Sequence, residues 1–140
     1  MVVAFAPDTG NTATIVFGTS AFTAKYHEIG ASEQEVPKIK DSHLGTTVKE
    51  TCQPGDLYDP GEVDCEFQYV AGVNPPIGGA PETVTITYPV PTGKTTGATL
   101  AGTAFIRKRK SSSLKNNELL IGSYTLCWDG KTGPTFTAAA

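Results

Sequence analysis

Several groups of residues in this 140-residue chain carry side chains able to do chemistry. Asp41, Ser42 and His43 set an acid, a hydroxyl and an imidazole side by side, the types a hydrolase uses to activate a nucleophile. Asp56, Asp59, Glu62, Asp64 and Glu66 are carboxylates of the kind that hold calcium. Gly93-Lys94-Thr95 matches the end of a phosphate-binding loop, and Arg107, Lys108, Arg109 and Lys110 are a run of cations suited to phosphates. Cys52, Cys65 and Cys127, with His27 and His43, are the softer metal ligands.

Spacing argues against each. Neighbours in an extended chain point apart, so Asp41, Ser42 and His43 do not converge as a triad, and local turn bonding by Asp and Ser is the expected role. Neither a G-x-S-x-G elbow nor a cysteine-nucleophile signature is present. The acids miss the EF-hand spacing. At every second residue, Glu62, Asp64 and Glu66 form a row along a strand, not a cage. A phosphate loop needs a glycine where Tyr88 stands and a helix afterwards, whereas "TTGATLAGTAF" reads as a strand. Along one strand the four cations divide two per face, and no aromatic interleaving surrounds them. The cysteines are odd in number, lack CxxC spacing and read as reduced structural thiols. No catalytic, metal or cofactor site is expected, and the chain is not expected to be an enzyme.

The elements that would position these residues are strands. The length suits one domain with a substantial core, at 39% hydrophobic and 18% charged residues. Threonine recurs at alternate positions, as at Thr83, Thr85 and Thr87, where a branched side chain suits a pleated surface. "TATIVFG", "SAFTAKYHEIG" (Ser20 to Gly30) and "EVPKIKD" read as strands, the last at an edge or with a bulge because of Pro37. "EVDCEFQY" alternates cleanly: Val63, Cys65, Phe67 and Tyr69 point one way, and Glu62, Asp64, Glu66 and Gln68 the other. "TVTITYPV", Gly97 to Lys110 and "LLIGSYTLCWDG" complete the set, with at most one helical turn in "SSSLKNNE". The reading is all-β: one antiparallel sandwich or barrel spanning residues 1–140, with 1–11 and 134–140 loose at the ends.

No apolar run reaches membrane-spanning length, and the first residues lack the basic segment of a secretory signal. The net charge of -3 is uneven: residues 1–70 carry eleven acids and four bases, residues 71–140 three and seven. Either the molecule has oppositely charged ends, so that copies attract head to tail, or the halves interleave and the charges mix.

"FGTSAFTAKYHEIG", "VPKIKDSHLGTT", "QPGDLYDPGEVDCEFQY" and "ETVTITYP" together resemble the major tail tube proteins of long-tailed phages with non-contractile tails. The family's Gly-Thr-Ser, Asp-Ser-His-Leu-Gly and Pro-Gly-Asp-Leu-x-Asp-Pro-Gly blocks correspond to Gly18 to Ser20, Asp41 to Gly45 and Pro54 to Gly61, and the similarity runs from about Gly18 to the end. The Lys-rich "RKRKSSS" and the short "NPPIGGAPE" depart from it. The resemblance implies a β-sandwich that joins its neighbours in hexameric rings around a continuous inner barrel. The rings stack into the tube through which the genome leaves the virion. It also implies tape measure, tail terminator and tail tip proteins as partners, double-stranded DNA passing through the lumen without specific binding, assembly in the host cytoplasm, and no membrane insertion of its own.

On this reading Glu62, Asp64, Glu66 and Gln68 face the channel, where carboxylates repel the DNA backbone; the alternative is that this polar row lies on the tube's outer wall. The long loop carrying Asp41, Ser42, His43, Leu44, Gly45, Pro54, Gly55, Asp56, Asp59, Pro60 and Gly61 reaches an adjacent subunit or ring. Arg107, Lys108, Arg109 and Lys110 contact acids across a joint between subunits. The alternatives are a related ring protein, such as a tail terminator or a secretion or bacteriocin tube, and a glycan-binding adhesin-type module with Trp128 on an exposed aromatic platform.

Overall fold

The structure is a computed structural model; it describes residues 12–45 and 48–140. The expectation that residues 1–11 are loose falls outside the described residues. Nine strands follow one another: β1 (Thr14–Phe17), β2 (Tyr26–Ile29), β3 (Lys38–Lys40), β4 (Cys52–Pro54), β5 (Glu62–Gln68), β6 (Glu82–Thr87), β7 (Thr99–Lys110), β8 (Ile121–Trp128) and β9 (Thr135–Thr137). Among the described residues there is no helix.

Six strands lie side by side in the order β1-β6-β7-β8-β5-β2, and all pairings are antiparallel. β9 joins the same sheet along Thr99 to Ala101 of β7. Since β6 already holds that stretch on one edge, β9 takes the other and continues the line of β8. The Ala140 carbonyl accepts backbone hydrogen bonds from Thr95 and Thr96, at 2.8 and 2.9 Å. β3 and β4 form a separate two-stranded hairpin.

Alternation drives the sheet. In β5, Val63, Cys65 and Phe67 are buried while Glu62, Asp64 and Glu66 are exposed, the period-2 pattern of a strand with one wet face. Ile15, Phe17, Val84, Ile86, Leu100, Ala104, Ile106, Tyr124, Leu126 and Trp128 join the same core. The sheet curls around it. The ring of Phe17, on end strand β1, meets that of Tyr124 on β8, three strands away in the sheet, with centroids 6.1 Å apart. Phe22 plugs the concavity edge-on, with centroids 5.7 Å from Phe17, 5.8 Å from Phe67 and 6.2 Å from Tyr124.

Two local expectations are corrected. The segment Ser20 to Gly30 is not one long strand: Ala21 has φ +53°, Phe22 turns inward, and only Tyr26–Ile29 pairs. Ladder pairing there loses to burial of the Phe22 ring. The four cations of β7 do not divide two per face either. The register shifts between Ile106 and Lys108, which insert Arg107 as a bulge, so that Ile106 opposes Leu126 and Lys108 opposes Thr125.

Candidate functional site

The bulge reorganises the outer face of the sheet. Ile106 stays in the core, while Arg107 and Lys108 both turn outward and Lys110 follows opposite Ser123. Cys127, Thr125 and Ser123 of β8 in turn oppose Glu62, Asp64 and Glu66 of β5. A column of acids and a column of cations therefore run along one face, with β8 between them. The Arg107 guanidinium closes on Glu62 through Nε to Oε1 at 2.9 Å and Nη2 to Oε2 at 3.2 Å. Thr125 Oγ1 donates to Asp64 at 2.7 Å. Arg109 alone lies on the Tyr124 side of the strand, where Nη1 donates to the Pro75 carbonyl at 2.7 Å. Gln68, opposite Ile121, ends the acid column half-buried. The acidic and basic halves of the chain thus interleave at these strands.

The loop between β2 and β5 is an arm carrying the β3–β4 hairpin, all six of whose strand residues are exposed. Its backbone follows from the two sequence blocks that punctuate it. Asp41 accepts from the Thr51 hydroxyl, Ser42 Oγ accepts from the Thr51 amide at 2.7 Å, and His43 Nδ1 accepts from the Gly45 amide at 3.0 Å. These are turn bonds of the kind the residue types predict, and no nucleophile–base pair lies among them. On the return path Gly55 N donates to Pro37 O at 2.7 Å, and Glu35 and Asp59 exchange backbone bonds at 3.0 and 2.7 Å. Asp59 Oδ1 accepts from Gly61 N at 2.9 Å, and Gly61 itself sits at φ +89°. Pro60 and Gly61 are partly buried at the root; Asp56, Leu57, Tyr58 and Asp59 stand exposed. The Gly18-Thr19-Ser20 block has an equally local reason: Glu82 Oε1 accepts from the Thr19 and Ser20 amides at 3.3 and 3.1 Å and from Ser20 Oγ at 2.9 Å, turning the chain out of β1.

A third feature was not legible in the sequence. The sheet does not close: β1 pairs only with β6 and β2 only with β5, so each leaves one edge unpaired among the described residues. Between those edges is a groove of about 840 Å³, floored by Ile86 and Leu100 and walled by Thr12, Tyr26, Ile29 and Tyr88. Behind its wall the Tyr26 hydroxyl shares a hydrogen bond of 2.8 Å with that of Tyr124, a core residue that does not line the groove. Burial pushes the Tyr26 phenol up to about 12, and likewise the Cys65 thiol beside it, while Tyr124 is raised further.

Among the described residues no three His, Cys, Asp or Glu side chains gather to hold a metal ion. Cys52 is exposed, Cys65 buried and Cys127 half-buried, all as free thiols. Trp128, weighed as an aromatic platform, is only 2% exposed and belongs to the core, so it does not present one.

The chain matches no protein-family model and no curated protein sequence. Solved structures do match, end to end. A sheath/tube terminator of an extracellular contractile injection system (PVC, extended state) superposes with a TM-score of 0.74 at 13% identity, covering 98% of this chain and 100% of that chain. The tube-terminating cap of the anti-feeding prophage gives 0.73 at 14%, covering 99% and 96%. A chain of the anti-feeding prophage baseplate gives 0.69 at 11%, covering 96% and 98%. At these identities the likeness is one of fold, and it agrees with the all-β architecture read from the residues and with the tail-type fold that the resemblance implies.

Proposed function

We propose that this chain is a structural, non-catalytic subunit of a phage-tail-like tube, which self-associates into hexameric rings that stack or terminate a stack. The observation that carries this reading is the end-to-end match to tail components, with almost nothing left over on either side. Open sheet edges, which soluble proteins normally protect, fit a subunit whose sheet is completed by its neighbours.

In this role the β5 carboxylates Glu62, Asp64 and Glu66 line the channel, and the bulge brings Arg107, Lys108 and Lys110 onto the same wall. Tape measure, terminator and tip proteins are the partners, the virion tail is the location, and double-stranded DNA is the cargo that slides past without specific binding. Among the described residues Lys108 and Lys110 make no ion pair, which leaves them for contacts between subunits.

A narrower second reading is the terminator that closes a tube. It is favoured by the higher TM-scores of the terminator and cap, 0.74 and 0.73, over the 0.65 of a chain from a sheath–tube complex. Electron microscopy of the purified protein at high concentration tests both. Long hollow rods support the tube subunit, discrete rings the terminator, and dispersed monomers at every concentration reject both.

A further inference from the structure

Beyond the sheet the charges of the chain part to opposite ends. The arm is a ribbon that prolongs the β2–β5 ladder past Glu62. Gly30 N donates to Asp64 O at 2.7 Å, the Glu35–Asp59 bridge and the Gly55–Pro37 bond follow, and Asp41 N donates to Thr51 O at 3.1 Å beyond the β3–β4 pair. At a strand's rise the run from Ala31 to Asp41 reaches roughly 30 Å. The arm carries Glu33, Glu35, Asp41, Glu50, Asp56 and Asp59 against Lys38, Lys40 and Lys49, so it is net acidic. Lys40 pairs with Glu50, whereas Glu33, Glu35 and Asp56 are exposed and make no ion pair among the described residues. Leu57, 81% exposed, and Tyr58 stand beside Asp56.

The other end of β5 is basic. Gln68 opposes Ile121, and past that pair the connections 69–81 and 111–120 meet, with Tyr69 N donating to Leu120 O at 2.9 Å. Lys25 lies beside Gln68, whose amide donates to the Lys25 carbonyl at 2.8 Å. Arg109 holds the Pro75 carbonyl, Lys110 ends β7, and Lys115 stands on the 111–120 connection. Glu118, 3.8 Å from Lys115, is the only acid on the two connections. The end stays net positive when Glu28 and Glu66, at the Lys110 level of the sheet, are counted with it. Leu114 is 85% exposed there and Leu119 61%. Each end thus offers exposed aliphatic side chains beside an excess of one charge, and the two signs are opposite. The arm cannot reach the basic end of its own copy, because the ribbon runs from the Glu62 end of β5 away from Gln68.

We propose that the arm of one copy seats on the basic end of the next, with Leu57 and Tyr58 against Leu114 and Leu119, and Glu35 and Asp56 beside Lys110 and Lys115. This rests on the assembly reading above and names the joint along which copies stack. The two surfaces lie at opposite ends of the same strands, so the contact is heterologous: each copy gives an arm and receives one. Strands in a barrel wall tilt by about 35–45° from its axis, which makes the step from copy to copy mainly axial, from ring to ring.

Charge reversal tests this. One variant combines Glu35→Lys with Asp56→Lys, the other Lys110→Glu with Lys115→Glu; all four side chains are exposed, so melting temperatures should match wild type. Each variant alone should need at least about tenfold more protein to form rods seen by electron microscopy, and the chain carrying all four changes should return to the wild-type concentration. Rods at the wild-type concentration from either pair alone, or no recovery with all four, overturn the joint and leave the tube reading standing. Wild-type rings that never stack overturn the joint and support the terminator reading. Wild-type monomers at every concentration overturn both. Independently, in a Cys52→Ser background, Leu57→Cys combined with Leu119→Cys should give a ladder of linked chains on a non-reducing gel after mild oxidation of the assembled protein, and neither single variant should. Rods without that ladder overturn the joint.

Discussion

Arg107 grips Glu62 across the intervening strand β8, and it does so because it is the extra residue of a bulge. In an unbulged β7 the cations would alternate between core and solvent. The insertion instead places Arg107 and Lys108 on the same side, as bulges do when they re-aim a side chain. The face that sequence alternation paints as purely acidic is therefore charge-compensated.

Both partners of that pair are roughly half exposed, so its worth is small. Arg107→Ala should lower unfolding free energy by less than ~1 kcal/mol, and 0.5–1 M salt should erase the difference. Deleting Arg107 outright should also be tolerated, because Lys108 to Lys110 already hold regular register with Thr125 to Ser123. Urea melts of both variants check this. A loss of several kcal/mol would mean the bulge itself holds the hairpin together.

Leu126 and Leu44 should separate folding from assembly. Leu126 is completely buried, in register between Val63 and Ile106, and its truncation to Ala leaves a cavity costing about 2–5 kcal/mol. Leu44→Ala touches nothing in the subunit and should change stability by no more than ~0.5 kcal/mol. Denaturant titration reads the first, and sedimentation at high concentration reads what Leu44 does for association.

Much of the fold could be read from period-2 alternation. The residues of β5 and β6 divide between core and solvent as their spacing says, because one wet face and one packed face is all that such strands require. The bulge at Arg107 escaped because an inserted residue leaves no mark in composition. Phe22 escaped because a lone aromatic in a polar run looks the same whether it sits on a strand or plugs a concavity. Trp128 misled for the opposite reason: a neighbouring turn glycine suggested exposure, yet the ring falls on the buried side of β8. The groove is formed by strands far apart in sequence, and no local signal reports which edges a curled sheet leaves open.

Gly61 is the hinge of the arm's root. A Cβ there would stand 1.8 Å from the Glu33 carbonyl, and its φ of +89° is one that L-residues avoid. Its carbonyl also accepts from the Trp128 amide at 3.3 Å, which ties the root to β8. Gly61→Ala should cost more than ~1 kcal/mol and should speed tryptic cleavage after Lys38, Lys40 and Lys49. Limited proteolysis followed by mass spectrometry measures it. Unchanged cleavage would show that the root does not hold the arm.

The buried thiol and phenols make stability depend on alkaline pH. Desolvation raises Cys65 from 9.0 and Tyr26 from 10.0, each to about 12, and raises Tyr124 as well. Each is neutral when protonated, so the folded state holds these protons more tightly than the unfolded chain does. Their contribution is whole below about pH 9. As pH rises from 9 to 12 the unfolded chain ionises first, and stability falls by an amount on the order of a few kcal/mol. Urea midpoints across that range should decline steadily, and less steeply in Cys65→Ala once its constant cavity cost is subtracted. At pH 8, a thiol reagent should modify exposed Cys52 at least about a hundredfold faster than Cys65, which reacts only as thiolate. A flat midpoint from pH 9 to 12, or equal labelling of the two cysteines, would mean that the aromatic plug around Phe22 opens readily to water.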